Sequence, residues 1–419
     1  MPTRRAALLL AAAAALPRLA VLAFERRDIL AAYVEKSDSF ARTFVESGTY
    51  GLVPGEPSAY TQPLYGFFLV PIYWLFGHSW AAVGVAQTLL AVLTAFLVYA
   101  LARRFLDGRA SLVAALVATL QPYLVWHDVH VNREIVDQPL AVATVLGFVV
   151  LAQRPSLRVA LLAGAAGGLA VLGNARLAGL PLVLALVAAW RAGWSRRTLA
   201  LAGASLAAVV LAVSPWVVRN QVELGCAAIT TDSRALWKAN NPLTHGILAR
   251  GGWIDEVPDI AGAPPTPSAA ADVYARTGEV VHVDECAQMR YYRGLVTDFW
   301  REQPGEKARL SAQAAGMLWD PRTTATEDRP GQGTWLDVAR RWPESIYAVL
   351  LYVFALAGLR IVARDYRWLA AAVLVYGTFA AMVFVGATRY RSPWDFVLAV
   401  LAAPALVQAW GYVRARAAR

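Results

Sequence analysis

The chain has 419 residues, 58% hydrophobic and 16% charged, with a formal net charge of +10. A soluble domain carries about a quarter charged residues, so this composition excludes a single water-soluble core and makes the bilayer the solvent for most of the chain. The excess charge is no nucleic-acid footprint, because the arginines sit in short clusters between apolar runs: Arg103–Arg104, Arg154 with Arg158, Arg196–Arg197, Arg360–Arg364–Arg367 and Arg414–Arg416–Arg419.

That spacing is the positive-inside pattern of a multi-pass protein on an anionic cytoplasmic leaflet. A spanning helix needs about 20 apolar residues. In chain order, apolar runs near 6–24, 79–101, 109–126, 137–152, 158–173, 177–190, 198–218, 345–361, 368–386 and 395–412 predict about ten spans. The first, behind Arg4–Arg5, has the charge and small residues of a signal peptide. Its apolar run continues to Phe24 and the topology needs one more span, so a retained helix is expected. With the N-terminus inside, every arginine cluster above is cytoplasmic, and so is the C-terminus. Of the 29 Asp and Glu, only Asp107 and Asp365 then fall in cytoplasmic loops.

The expected architecture is an all-α polytopic protein of the plasma membrane with its chemistry on the extracytoplasmic face. Residues 1–218 form an N-terminal transmembrane module with a first outer loop at 25–78. Residues 219–342 form a small, mainly helical extracytoplasmic domain, and 343–419 the C-terminal transmembrane helices. The outer domain carries an amphipathic pattern from Glu285 to Trp319, broken near Gln303–Pro304–Gly305. It also holds both cysteines, Cys226 and Cys286; on an oxidising face they predict a disulfide, and two buried thiols are the alternative.

Four polar clusters stand out. In the first outer loop, Phe40, Phe44 and Val45 give 38–47 the pattern of a short interfacial helix. Asp38 is either its N-cap, with Ser37 as the other candidate, or a catalytic carboxylate. The second cluster is Trp126-His127-Asp128-Val-His130-Val-Asn132-Arg133-Glu134-Ile-Val-Asp137-Gln138-Pro139. Carboxylates at the edge of a span face cavities and mark function, and Glu134 and Asp137, three apart, share a helix face. An ion-pair network with Arg133 is the structural reading. His127, Asp128, His130 and Glu134 match no strong metal motif, so no metal site is expected. The third cluster, Pro215-Trp216-Val-Val-Arg219-Asn220, ends a span and is followed by Asn240-Asn241-Pro242. Arg219 is either a snorkelling anchor or a bidentate phosphate binder. The fourth is Arg389-Tyr390-Arg391-Ser-Pro393-Trp394-Asp395, where two outer arginines break the charge trend and need a partner: a lipid-linked phosphate, or Asp395 or Glu134.

In this order the clusters resemble the GT-C superfamily of polyprenyl-phosphate-sugar-dependent glycosyltransferases, in particular the family 39 branch of protein O-mannosyltransferases and aminoarabinose transferases. The resemblance covers nearly the whole chain. It rests on Asp38 with Gly48-Thr-Tyr50 and Pro63-Leu-Tyr65, on Asp137-Gln-Pro139-Leu140, on Pro215-Trp216-Val-Val-Arg219-Asn220, on Asn240-Asn241-Pro242 and on Arg389-Tyr390-Arg391-Ser-Pro393. It implies inverting transfer of a sugar from a polyprenyl-phosphate donor to an acceptor hydroxyl. Asp38 is then the base and Glu134 or Asp137 the second carboxylate; Asp137 fits the Asp-x-Pro-Leu pattern better. Arg389, Arg391, Arg219 and Tyr390 hold the donor phosphate. Asn220, Asn240, Asn241, Tyr65 and His130 shape the substrate site. Many members have a second acidic residue where this chain has Ser39, which weakens the likeness to the protein mannosyltransferases in particular. No soluble cofactor is required; the partners implied are the lipid-linked donor, a glycan, lipid or protein acceptor, and membrane lipids. A transporter would instead show inverted repeats and polar breaks at mid-membrane. A lipid-linked-glycan polymerase or ligase is a further alternative.

Overall fold

The computed structural model describes residues 2–31, 34–323 and 335–417. The described chain is helical, and its two isolated β-bridges join Val34 to Val131 and Val53 to Glu56. In order the helices are α1 (Arg4–Glu25), α2 (Ser37–Ser47), α3 (Pro63–Phe76), α4 (Trp80–Ala102), α5 (Gly108–Thr119), α6 (Pro122–His127), α7 (Glu134–Gln153), α8 (Leu157–Gly173), α9 (Leu180–Arg191) and α10 (Arg196–Leu224). Then follow α11 (Ser233–Lys238), α12 (Thr244–Ala249), α13 (Pro267–Thr277), α14 (Glu285–Glu302), α15 (Pro304–Trp319), α16 (Trp335–Gly358), α17 (Arg364–Val383), α18 (Thr388–Arg391) and α19 (Asp395–Ala417).

Six described segments are long and apolar enough to cross a membrane: Arg4–Leu30, α4, α7, α10, α17 and Thr388–Arg416. Helices α3, α5 and α8 are apolar but shorter, so length and composition do not reach the expected count of about ten. Leu211 and Val222 are 69% and 75% exposed on α10, which suits lipid contact better than water. Start signals are conventional. Ser79, Asp107, Ser156 and Asp284 each accept a backbone N–H of the first turn of the helix they precede, and Ser195 forms a capping box with Thr198.

Two features depart from the sequence expectation. The run at 109–126 breaks at Leu120–Gln121, because Pro122 opens α6 and the Gln121 side chain caps it through Leu124 N (2.7 Å). The span expected to end at 218 continues as helix to Leu224, so Trp216, Arg219 and Asn220 lie on α10.

Small residues set the helix spacing. Helix α8 packs between α7 and α10, α4 between α1 and α7, and α19 between α5 and α16. A Cβ on Gly164 would lie 2.0 Å from the Ser205 carbonyl oxygen, and one on Gly168 would lie 2.6 Å from the Ala212 Cβ. This small-xxx-small approach is how membrane helices gain close backbone packing. At one end of the bundle the arginine clusters meet few carboxylates, notably in Arg191–Asp365. At the other end the polar segments converge. Val34 pairs with Val131, Thr231 N bonds Ala59 O (2.9 Å), and Lys307 Nζ bonds Met382 O (2.7 Å).

A buried polar knot fixes that end. Arg18 on α1 pairs with Asp128 at 2.6 Å, both 1% exposed, and also reaches Thr119 O at 3.0 Å. Gln138 on α7 donates to the other Asp128 oxygen (2.8 Å). Gln87 on α4 donates to the carbonyls of Asp128 and His130 (2.7 and 2.8 Å) and accepts from Tyr65 Oη (2.6 Å). Every member is satisfied, as a buried network must be, and together they hold the segment that carries Arg133 and Glu134.

Candidate active site

At the polar end lies a cavity of about 370 Å³. Its floor comes from the start of α7, the 174–176 turn and the 384–390 segment. One wall comes from residues 34–36 and 60–62, and the other from 230–239 and 253–255.

The floor and first wall bring three arginines and two carboxylates together. Glu35 is held by its backbone, whose N–H donates to Val131 O (3.1 Å). Its Oε1 lies 3.7 Å from Arg133 Nη1 and accepts from Thr61 Oγ1 at 3.5 Å. Arg133 also donates to Gln62 Oε1. Glu134 Oε1 lies 3.6 Å from Arg389 Nε. Arg389 Nη2 donates to Tyr390 Oη (2.8 Å), and the Arg176 guanidinium sits 3.5 Å from the centre of the Tyr390 ring. The 173–177 break puts Arg176 there. Helix α8 stops at Gly173, and Asn174 Oδ1 caps a single turn through Arg176 N (3.1 Å).

Beneath the floor is a smaller chamber of about 40 Å³ that shares Glu134, Arg176, Arg389 and Tyr390 with the main cavity and adds Asp137 and Asn174. Asp137 is 3% exposed; its Oδ2 accepts from Asn174 Nδ2 (3.0 Å), while its Oδ1 has no hydrogen-bond partner. A Cβ on Gly173 would come within 2.8 Å of that oxygen. Lys36 of the first wall pairs across with Asp232 of the second (2.5 Å), which Trp253 and Asp255 complete.

The expected residues are dispersed. Glu134, Arg389 and Tyr390 line the main cavity, and Asp137 lines the chamber below. Asp38 lines neither. It is not the N-cap of α2 but lies in its first turn, 3% exposed, accepting from Tyr73 Oη and 2.8 Å from His78 Nε2. Arg391 is buried away from the cavity, 3.5 Å from Asp395 and bonded to Asp320 O (2.7 Å). Arg219 lines a separate apolar cavity with Phe44, Phe67 and Trp216 and donates to the carbonyls of Tyr50 and Ser58. Asn220 ties to Ala228 O, Asn240 to Val383 O, and Asn241 to Trp237 O. Tyr65 and His130 belong to the buried network and its border, His130 Nδ1 lying 2.9 Å from Trp126 O. None of these last five lines the main cavity. Among the residues that line it without having been singled out as candidates are Glu35, Gln62, Arg176 and Asp232, with Arg133 read only as a structural ion-pair partner.

Cys226 and Cys286 are bonded, with Cα atoms 5.9 Å apart. The bond ties the end of α10 to the start of α14. Next to it the buried Glu285 accepts from Ala59 N (3.1 Å) and Thr231 Oγ1 (2.6 Å), and so braces the 58–62 wall from behind. Burial raises the Glu285 pKa above its ordinary value, against the hydrogen bonds it accepts. Desolvation likewise pushes the Lys307 ammonium down to about 8, where it meets Asn240 Oδ1 and two carbonyls at the end of α17. Among the described residues no group of three or more His, Cys, Asp or Glu side chains forms a metal cage.

A family model described as dolichyl-phosphate-mannose-protein mannosyltransferase matches residues 57–218. No curated protein matches the chain. Among solved structures, the archaeal oligosaccharyltransferase AglB from Archaeoglobus fulgidus, in complex with an inhibitory peptide and a dolichol-phosphate, superposes with a TM-score of 0.50 at 16% identity. The match covers 98% of this chain and 51% of that one, so the chain spans about half the length of this relative. ArnT from Cupriavidus metallidurans in the apo state matches at 17% identity over 95% of this chain and 76% of its own, with a TM-score of 0.42. At these identities the likeness is one of fold.

Proposed function

We propose that this chain, a member of the GT-C superfamily of membrane glycosyltransferases by fold and family-model match, moves a sugar from a polyprenyl-phosphate donor to an acceptor hydroxyl on the extracytoplasmic face. The observation that carries the reading is the cavity in which Arg133, Arg176 and Arg389 meet Glu35 and Glu134 at the polar end of an apolar bundle. Three guanidinium groups at a membrane edge suit a phosphate monoanion or dianion whose tail lies in lipid. The grouping of the polar residues at one end, away from mid-membrane, favours a surface enzyme over a transporter.

In the inverting reaction the acceptor oxygen attacks the anomeric carbon from the face opposite the phosphate. The new C–O bond forms as the bond to the phosphate oxygen breaks, and the polyprenyl phosphate leaves with the electron pair. A cavity carboxylate takes the acceptor proton. Arg389 and Arg176 stabilise the charge that grows on the leaving phosphate, an interaction strongest in the transition state. Arg133 lies 3.7 Å from the Glu35 carboxylate and adds a third guanidinium to the same cavity.

The test is to incubate the purified chain in liposomes with radiolabelled polyprenyl-phosphate hexoses and pentoses and with glycan, glycolipid and protein acceptors. One donor should lose its label to an acceptor, and Arg389→Ala should raise the KM for that donor. A wild-type chain that consumes none of them, or an Arg389→Ala variant with unchanged donor kinetics, overturns the proposal.

A further inference from the structure

Helix α15 guides the turn by which α17 reaches the cavity floor. Along it, Trp319 Nε1 donates to Thr378 Oγ1 (3.0 Å) and Ser311 Oγ to Met382 O (3.1 Å). Beyond Val383 the chain reverses. Gly386 passes so close to α15 that a Cβ there would lie 1.9 Å from Ala314 O, and Arg391 bonds Asp320 O at the far end. The returning segment supplies Phe384, Val385, Arg389 and Tyr390 to the floor. Lys307 stands at the point of reversal and lines no part of the cavity itself. Its Nζ donates to Met382 O (2.7 Å), Val383 O (3.4 Å) and Asn240 Oδ1 (2.7 Å). Asn240 follows Ala239 of the second wall; its Nδ2 donates to Val383 O (3.1 Å), and its Oδ1 also accepts from Trp300 Nε1 (2.9 Å).

We propose that Lys307 is a positioning residue: from behind the cavity its ammonium ties the second wall to the floor and so fixes the place of Arg389, the residue assigned above to the donor phosphate. The assignment rests on the transferase reading above. The last carbonyls of a helix have no intrahelical partner, and a cation there meets both that need and the helix dipole. An ammonium has three donors and no acceptor, and three acceptors meet it here. Burial, with no carboxylate paired to it among the described residues, pushes its pKa down to about 8. Above that pH the amine keeps two donors for three acceptors, and the tie weakens. The other charges on the elements packed around it are engaged or turned elsewhere. Arg301 and Glu302 of α14 and Glu306 and Arg309 of α15 are exposed, and the charged residues of α17 lie at its opposite end. Arg391 is bonded to Asp320 O, Arg389 to Tyr390 and Lys238 to Asp255 O, while α12 meets α15 farther along, where His245 O accepts from Gln313.

The experiment measures donor KM in the liposome assay for the wild type, Lys307→Met, Arg389→Ala and the double variant, near pH 7 and near pH 9. Near pH 7, Lys307→Met should raise donor KM about tenfold when Arg389 is present and by less than about twofold when it is absent, the non-additivity of residues that act as one network. The change to pH 9 should raise donor KM in the wild type and leave it constant in Lys307→Met. An unchanged donor KM in Lys307→Met, an effect equally large with and without Arg389, or a pH dependence that survives in the variant overturns the assignment while leaving the transferase reading intact. If Lys307→Met does not fold, Lys307→Arg carries the test: a guanidinium stays charged, so donor KM should not rise toward pH 9, and a rise equal to that of the wild type overturns the assignment. A wild-type chain that consumes no lipid-linked sugar overturns the reading and this assignment with it.

Discussion

Arg176 lies over the Tyr390 ring and opens on both chambers, while Arg391 is sealed against Asp395 and Asp320 O. The two should fail differently. Arg176→Ala removes a stacked guanidinium from the leaving-group side, so donor KM should rise about tenfold, the scale of a single desolvated cation contact, with acceptor KM unchanged. Arg391→Ala strands Asp395, which is 1% exposed, and loss of one partner of a buried pair costs about 3–5 kcal/mol. Its signature is a lower melting temperature with donor KM intact. Equal donor effects from the two substitutions would contradict this division. The sequence made Arg389 and Arg391 equally attractive, because adjacent charges on an outer loop carry no sign of which way each points. Arg176 was legible by the same trend, since it sits on the outer turn of the 158–190 pair, but the turn read only as an interruption. Glu35 posed the reverse problem: its place on the cavity wall depends on a backbone pairing to Val131, a contact nearly a hundred residues away that no local pattern encodes.

Helix α14 does more than cover the bundle. Its first turn carries the disulfide to Cys226 and, one residue earlier, the buried Glu285 that braces the 58–62 wall. Closing a loop of sequence separation 60 removes, by the chain-entropy estimate, on the order of 4 kcal/mol of unfolded-state freedom. Glu285 works against that gain at neutral pH. Its folded pKa lies above its ordinary value of 4.5 because burial disfavours the charge, so the folded state binds the proton more tightly than the unfolded state. Stability therefore falls as pH rises through the ordinary value toward the folded one. Glu285→Gln keeps an oxygen to accept from Ala59 N and Thr231 Oγ1 and loses the titration. The variant should match the wild type in melting temperature near pH 4 and exceed it at pH 7. A constant difference across that range would show that ionisation is not the cause. The amphipathic run and its break near Pro304 were readable from helical period and breaker residues. The brace was not, because a Glu at the start of a helix has the same sequence appearance whether it faces water or the back of a wall.

Across the whole molecule, the division into a basic end and an acidic, cavity-bearing end is the property that ordinary sequence physics specifies best. Apolar runs locate the helices, and cap residues such as Ser79, Asp107 and Ser195 fix several starts. Span number is less well specified. Pro122 and Gln121 split one run, and α8 and α9, at 17 and 12 residues, are too short to be counted by length alone. The charge asymmetry nevertheless makes a firm demand on orientation. Arginine clusters resist translocation, so α5 and α10 should begin in the cytoplasm, and α2 and α13 should lie outside. The native cysteines are bonded to each other, which leaves a clean background for single introduced thiols. Ser47→Cys and Glu279→Cys, both at exposed positions on the cavity-bearing end, should react with a membrane-impermeant maleimide in right-side-out vesicles. Arg109→Cys and Arg196→Cys, exposed at the other end, should react only after permeabilisation. The opposite labelling would place the cavity in the cytoplasm, where a donor whose sugar faces outward could not reach the arginines, and would remove the topological premise of the proposed reaction.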